Sequence, residues 1–205
     1  MRKYVPSVLL PIALLGGAQA SDAPVGLAAS NGQPAIQPVP VSTGTQQTWY
    51  DTAWSHVKQT WKDGKVEAYV PFWTYHLPFA YTPSQRENYN EYPAGFGLGK
   101  GRYNSSGNWE GIYAMGFSDS HSDPSFMVGY GWIPTWRVNQ SDFKVGVGLT
   151  AFLMSRTDYW NGIPFPGVLP VASIGYKNLN IQAAYVPGGT GNGNVIFAWA
   201  KWTFD

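Results

Sequence analysis

The hydrophobic period of this chain changes once, at Gly64, from 3.6 residues to 2, and it stays near 2 to the C-terminus. No other feature restricts the fold so far. Past Gly64, clusters rich in Gly, Pro, Asn, Asp and Ser cut the alternating text into eight segments that read as strands, at 66–77, 95–103, 109–118, 125–137, 143–156, 167–176, 179–186 and 195–204. Most have about the 9 to 11 residues that cross a bilayer at a tilt, and their number is even. Connections after the first, third, fifth and seventh segments are loosely longer than those after the others, the alternation of outer-membrane barrels. Residues 63–205 are therefore expected to form an all-β, eight-stranded antiparallel transmembrane barrel, with long loops extracellular and short turns periplasmic.

Ahead of the barrel, Trp49, Ala53, Trp54, Val57 and Trp61 recur at helical spacing, which predicts an amphipathic helix over 46–62. Three Trp on one face fit a segment lying along a membrane surface, the alternative being a helix packed on a soluble core. Residues 21–45 contain no aromatic and are rich in Pro, Gly, Ala, Ser and Gln, so a flexible leader is expected there. Residues 1–20 carry Arg2 and Lys3, an apolar run from Val8 to Leu15, and Ala18-Gln19-Ala20. That is the pattern of a signal peptide cleaved after Ala20, and the apolar run falls well short of the ~20 residues of a spanning helix.

Composition narrows the partners. Thirteen basic residues against twelve acidic give a formal charge of +1, which supplies no electrostatic footprint for nucleic acid. Charged residues make up 12% of the chain, where about 25% is usual, while aromatics reach 16%. Such a surface faces something other than water. With no Cys, disulfides, thiolate metal sites and cysteine nucleophiles are excluded. Trp109, Trp132, Trp136, Trp160, Trp199, Trp202, Tyr103 and Tyr176 lie towards strand ends, where an aromatic girdle is expected.

A water-filled barrel needs one polar strand face, yet here both faces are greasy. In the third strand Trp109, Tyr113, Met115 and Phe117 oppose Ile112 and Ala114. Gly95, Gly97, Gly99, Gly101, Gly129, Gly131, Gly146 and Gly148 repeat every second residue and strip side chains from one face. Two readings stand: a dry lumen with room for one hydrocarbon chain, or relief of crowding in coiled strands. Prolines at 71, 164, 166 and 170 interrupt the ladder, as side doors for a lipid tail or as prolines without function.

Few polar residues are placed to do chemistry: His76 ends the first strand, Asp119, Ser120 and His121 the third, and Arg156 the fifth. In an up-and-down barrel these converge on the long-loop rim. A histidine at a strand end is commonly a surface residue; beside a hydroxyl, a carboxylate and an acyl-sized lumen it suggests acyl transfer.

At these residues the chain resembles the lipid A palmitoyltransferase family of the Gram-negative outer membrane, PagP. Tyr69-Val70-Pro71 with Thr74-Tyr75-His76, Gly107-Asn108-Trp109 with Gly111-Ile112-Tyr113-Ala114-Met115 and Asp119-Ser120 carry the likeness. So do Gly129-Tyr130-Gly131-Trp132, Ile163-Pro164-Phe165-Pro166 and Asn192-Gly193-Asn194-Val195, in unbroken order from about Trp49 to Phe204. The resemblance implies an outer-membrane acyltransferase that moves a palmitoyl or similar chain from the sn-1 position of a phospholipid to a hydroxyl of lipid A, with no metal or cofactor. It places the essential residues at His76, Asp119 and Ser120, with Tyr69, Tyr113 and Arg156 in support. Tyr75, Leu77-Pro78, Ser118 and His121 depart from the family pattern.

The mechanism expected is His76 as general base, oriented by Asp119, with Ser120 as oxyanion donor or nucleophile. Gly129 or Gly131 is expected to leave space at the floor of the acyl pocket. A monomer is expected. The rival readings are a non-catalytic lipid-binding or structural barrel and a soluble lipocalin-like carrier, whose outer face would be polar.

Overall fold

The computed structural model describes residues 48–139, 141–157, 162–190 and 193–205. The signal-peptide and leader segments and Trp160 lie outside the described residues. Helix α1 (Trp49–Asp63) begins at Thr48, whose hydroxyl accepts from the Asp51 amide while the Asp51 carboxylate accepts in return, a capping box. It stops at Gly64, whose amide still bonds the Thr60 carbonyl.

Nine antiparallel strands follow: β1 (Lys65–His76), β2 (Gly95–Tyr103), β3 (Trp109–Ser118), β4 (Pro124–Ile133), β5 (Thr135–Arg137), β6 (Phe143–Arg156), β7 (Phe165–Tyr176), β8 (Leu179–Val186) and β9 (Val195–Thr203), with a short helix α2 (Pro83–Glu87) after β1. Both β4 and β5 pair with β6, and β1 pairs with β9, so the sheet closes. Pro134, which has no amide to give the ladder, divides β4 from β5 along one stave; the barrel has eight staves.

Alternation sorts each stave into an inner and an outer face. Outside stand Val66, Val70, Phe72, Phe96, Leu98, Phe126, Val128, Val147, Leu149, Leu153, Val168 and Ile174, all exposed. An apolar band running round a closed barrel has no water-soluble use, which removes the lipocalin-like reading and fits an outer-membrane protein. Trp132, Trp136, Trp202, Tyr103 and Tyr176 ring the short-turn rim and are also exposed. Trp109 and Trp199 do not join that girdle; both point into the lumen and are buried.

Helix α1 lies against β2 and β3 at the same rim. Its seat is Glu110, a carboxylate on the outer face of β3 that is nonetheless fully buried. Glu110 accepts from Arg102 at 2.7 Å and Asn104 at 2.8 Å, and contacts His56 Nδ1 at 2.7 Å. Lys100 adds a bond to the Trp61 carbonyl at 2.8 Å. Trp49, Trp54 and Trp61 stay exposed on the helix.

The lumen has two layers. Towards the long loops it is lined by Met115, Phe117, Met127, Met154 and Phe197. Towards the short turns it is polar, which corrects the expectation of a uniformly oily interior. Glu67 and Lys201 form a buried ion pair there, and Glu67 also accepts from Tyr69 at 2.7 Å, Trp109 at 3.2 Å and Thr203 at 3.0 Å. Between the layers, the Tyr113 and Thr150 hydroxyls bond at 2.6 Å and Trp199 donates to Gln182 at 2.9 Å.

The inward glycines face these bulky groups. A Cβ on Gly99 would meet the Tyr69 ring at 3.0 Å, on Gly129 the Tyr113 hydroxyl at 2.6 Å, and on Gly131 the Trp109 ring at 2.7 Å. The glycine row of β2 and β4 thus makes room for the side chains of β1 and β3 in the lower lumen.

Candidate active site

What aims His76 is a fault in its strand. Tyr69 and Pro71 face inward, and strict alternation would turn Trp73 and Tyr75 inward next, leaving His76 on the lipid side. The register between β1 and β9 slips between Pro71 and Trp73. Pro71 offers no amide to the ladder, and the slip moves Phe72 and Trp73 both outward, so Thr74 and His76 point in. Thr74, displaced from a regular ladder, gives its amide to the Glu91 carbonyl at 2.8 Å.

His76 is 3% exposed and sits among aromatic rings. Tyr89 stacks on it, with centroids 4.7 Å apart and planes at 17°, and Tyr81 meets it edge-on at 4.9 Å. Its Nδ1 is buried without a hydrogen-bond partner among the described residues. Tyr81 donates to the Gly193 carbonyl, tying the first loop to the last. Burial raises the Tyr81 phenol above its ordinary pKa, Tyr89 adds to the rise and Arg156 opposes it, so Tyr81 stays a neutral donor.

Asp119 opens the tight turn after β3. Its Oδ1 accepts from the amides of His121 at 2.8 Å and Asp123 at 3.0 Å, and its Oδ2 accepts from Arg156 at 2.8 Å. The backbone closes the turn, Asp119 donating to Asp123 at 2.8 Å, with Ser122 in the left-handed region at φ 65°. No hydrogen bond among the described residues joins Asp119 to His76. Asp119 instead braces Arg156 and the peptide plane that carries Ser120. Ser120 is half-buried on that turn, and its carbonyl accepts from the Asn90 amide at 2.9 Å.

The residues singled out by sequence therefore fall into two groups. His76, Asp119, Ser120 and Arg156 meet at the long-loop rim. Tyr69, Tyr113, Gly129 and Gly131 lie deep in the lumen; Tyr113 is six residues from Asp119, or roughly 20 Å along the strand. At that depth they are packed among the buried side chains of the lower lumen and cannot touch a reacting group at the rim. Among the described residues no three His, Asp or Glu side chains converge as metal ligands.

Sequence reasoning passed over Tyr81, Tyr89, Asn90 and Glu91, which crowd the site from the loop 77–94, and the Glu67–Lys201 pair. For the pair a signal existed: alternation puts Glu67 on the face of Tyr69 and Lys201 on that of Trp199. Tyr89, Asn90 and Glu91 carry no period and no motif.

Residues 56–201 match the family model described as "Antimicrobial peptide resistance and lipid A acylation protein PagP". Among curated proteins, the lipid A acyltransferase PagP of Methylobacillus flagellatus is 46% identical over 158 residues, covering 77% of this chain and 85% of that protein. The protein of the same name from Laribacter hongkongensis is 42% identical, covering 75% of this chain and 74% of its own. That of Salmonella typhi is also 42% identical, covering 81% and 88%.

Proposed function

Because this chain belongs to the PagP family of lipid A acylation proteins, we propose that it is an acyltransferase of the outer membrane, carrying a palmitoyl or similar chain from the sn-1 position of a phospholipid to a hydroxyl of lipid A. One observation carries the reading: a histidine, a serine and an Asp119–Arg156 pair share one rim, directly above the apolar layer of the lumen. The donor's tail enters that layer and its ester rests at the rim. His76 accepts the proton of the lipid A hydroxyl as that oxygen attacks the ester carbonyl carbon, giving a tetrahedral oxyanion. Arg156, held by Asp119, and the Ser120 hydroxyl stabilise the negative charge. Collapse breaks the bond to the glycerol oxygen, which takes the proton back from His76 and leaves as lysophospholipid. No metal or cofactor enters this balance.

Tyr69, Tyr113, Gly129 and Gly131 bound the acyl chain rather than the chemistry. The protein works as a monomer, since the whole site lies on one barrel. Reconstituted with phospholipid and lipid A, the wild-type protein should yield acylated lipid A and lysophospholipid in equal amounts. A folded His76→Ala barrel should lose about 10²- to 10⁴-fold in rate. Full activity in that variant rules out His76 as the base, and a non-catalytic lipid-binding barrel predicts no transfer by either protein.

A further inference from the structure

We infer that residues 89–91 form a strap that holds the two halves of the reaction centre in register, with Tyr89 as the positioning residue for His76. The inference rests on the assignment of His76 and Ser120 above. Three consecutive residues reach three different parts of the site. Tyr89 stacks on the His76 imidazole at 4.7 Å and meets the His121 ring edge-on at 5.2 Å. The Asn90 amide donates to the Ser120 carbonyl at 2.9 Å. The Glu91 carbonyl accepts from Thr74, on the bulged end of β1, at 2.8 Å.

These are the links that matter because the usual one is missing. His76 ends β1 and Ser120 follows β3, with β2 between them in the sheet order, and among the described residues no bond from Asp119 spans the gap. An imidazole that Asp119 does not hydrogen-bond still needs a fixed ring plane. Here a stacked ring supplies it, at 17° from coplanarity, while Tyr81 closes the edge. The strap itself is anchored at its far end, where Ala94 and Ser118 exchange hydrogen bonds of 2.9 and 3.0 Å beside the turn that bears Ser120. One short segment therefore fixes both the orientation of the base and the height of the serine turn. Positioning of this kind governs turnover more than binding, since a misplacement of about 1 Å can cost a hundredfold in rate.

The experiment uses the full-length protein refolded in detergent and given phospholipid and lipid A. Tyr89→Ala should lower kcat between about tenfold and a hundredfold with KM for the donor within about twofold, and Tyr89→Phe, which keeps the ring, should restore wild-type turnover. Asn90→Pro, which removes the amide bonded to Ser120 together with the side-chain oxygen that accepts from the Tyr92 amide at 2.9 Å, should lower kcat as well. Asn90→Ala, which keeps the Ser120 bond and loses only the Tyr92 one, should not. A second readout is independent of activity: stacking shifts the His76 ring protons upfield in the NMR spectrum, and that shift should vanish in Tyr89→Ala and persist in Tyr89→Phe. Wild-type kcat in a folded Tyr89→Ala barrel overturns the strap, as does equal loss in the Ala and Phe variants or an unmoved His76 resonance. His76→Ala and Ser120→Ala run alongside separate the two claims. If both are inactive while Tyr89→Ala is unimpaired, only the strap fails; if His76→Ala is active, the reading beneath it fails.

Discussion

The two layers of the lumen are made by the same eight staves and are built on opposite principles. The lower layer is stitched across the barrel: Glu67 of β1 reaches Lys201 and Thr203 of β9 and Trp109 of β3, Tyr113 of β3 reaches Thr150 of β6, and Trp199 of β9 reaches Gln182 of β8. Opening it would strand buried donors and acceptors. In the upper layer Met115, Phe117, Met127, Met154 and Phe197 meet through carbon and sulfur alone, with Phe117 and Phe197 at 4.8 Å. Parting those side chains breaks no hydrogen bond. On the proposed reading a fatty tail needs both, a wall that yields and a floor that does not, and the boundary at Tyr113 and Thr150 is where one gives way to the other.

The largest effect is expected where the floor is most tightly stitched. Lys201 and Glu67 are each 1% exposed, so removing one partner leaves a bare charge in the lumen. Lys201→Met should destabilise the barrel by about 3 to 5 kcal/mol, read as a lowered denaturation midpoint in micelles. Adding Glu67→Leu should recover only part of that loss, because it removes the bare charge but leaves the Tyr69, Trp109 and Thr203 donors without their shared acceptor. If Lys201→Met is as stable as the wild type, the lower layer is not the rigid half.

At the boundary the effects are smaller and bear on function. Thr150→Val leaves the Tyr113 hydroxyl without its 2.6 Å partner, a cost of about 1 to 3 kcal/mol. Gly131→Met must displace the Trp109 ring, which a Cβ would already meet at 2.7 Å. Overpacking of that kind costs about 1 to 3 kcal/mol, and it should raise the floor and shift the product towards shorter acyl chains, measured by mass spectrometry of acylated lipid A. An unchanged chain length would remove Gly131 from the floor.

Much of this architecture is legible in the sequence, because period 2 and turn chemistry are local. Strand segments, their even number and the meeting of His76, Asp119, Ser120 and Arg156 on one rim all follow from that alternation. Three things escaped it for physical reasons. With both strand faces apolar, alternation alone could not say which face was the lumen; contacts across the barrel decide that, and Glu67 and Lys201 are 134 residues apart. Counting by twos from Tyr69 sends His76 to the lipid side, and only the slip after Pro71 corrects it. The strap at 89–91 is made of backbone bonds and ring stacking in a loop, which leave no period behind. Helix α2 does leave a local signal: Thr82 with Pro83 and Gln85 is a capping box with Pro at the helix start.

The smallest effect on stability should come from the yielding layer, and there it is the breadth of specificity that ought to change. Every methionine after the first residue, at 115, 127 and 154, lines the upper lumen. They fall on one level: Met115 pairs with Met127 across β3 and β4, and Met127 with Met154 across β4 and β6. Methionine is unbranched and fills irregular gaps, so a row of three makes a wall that fits tails of slightly different girth and bend. Replacing all three by leucine conserves volume, and each change should cost less than about 1.5 kcal/mol. Branched side chains adapt less, however, and with a mixed-chain donor pool the triple variant should give a narrower distribution of acyl lengths and unsaturation than the wild type. An equally broad distribution would mean that these methionines only pack, and that whatever tolerance the enzyme has resides in the depth of the floor alone.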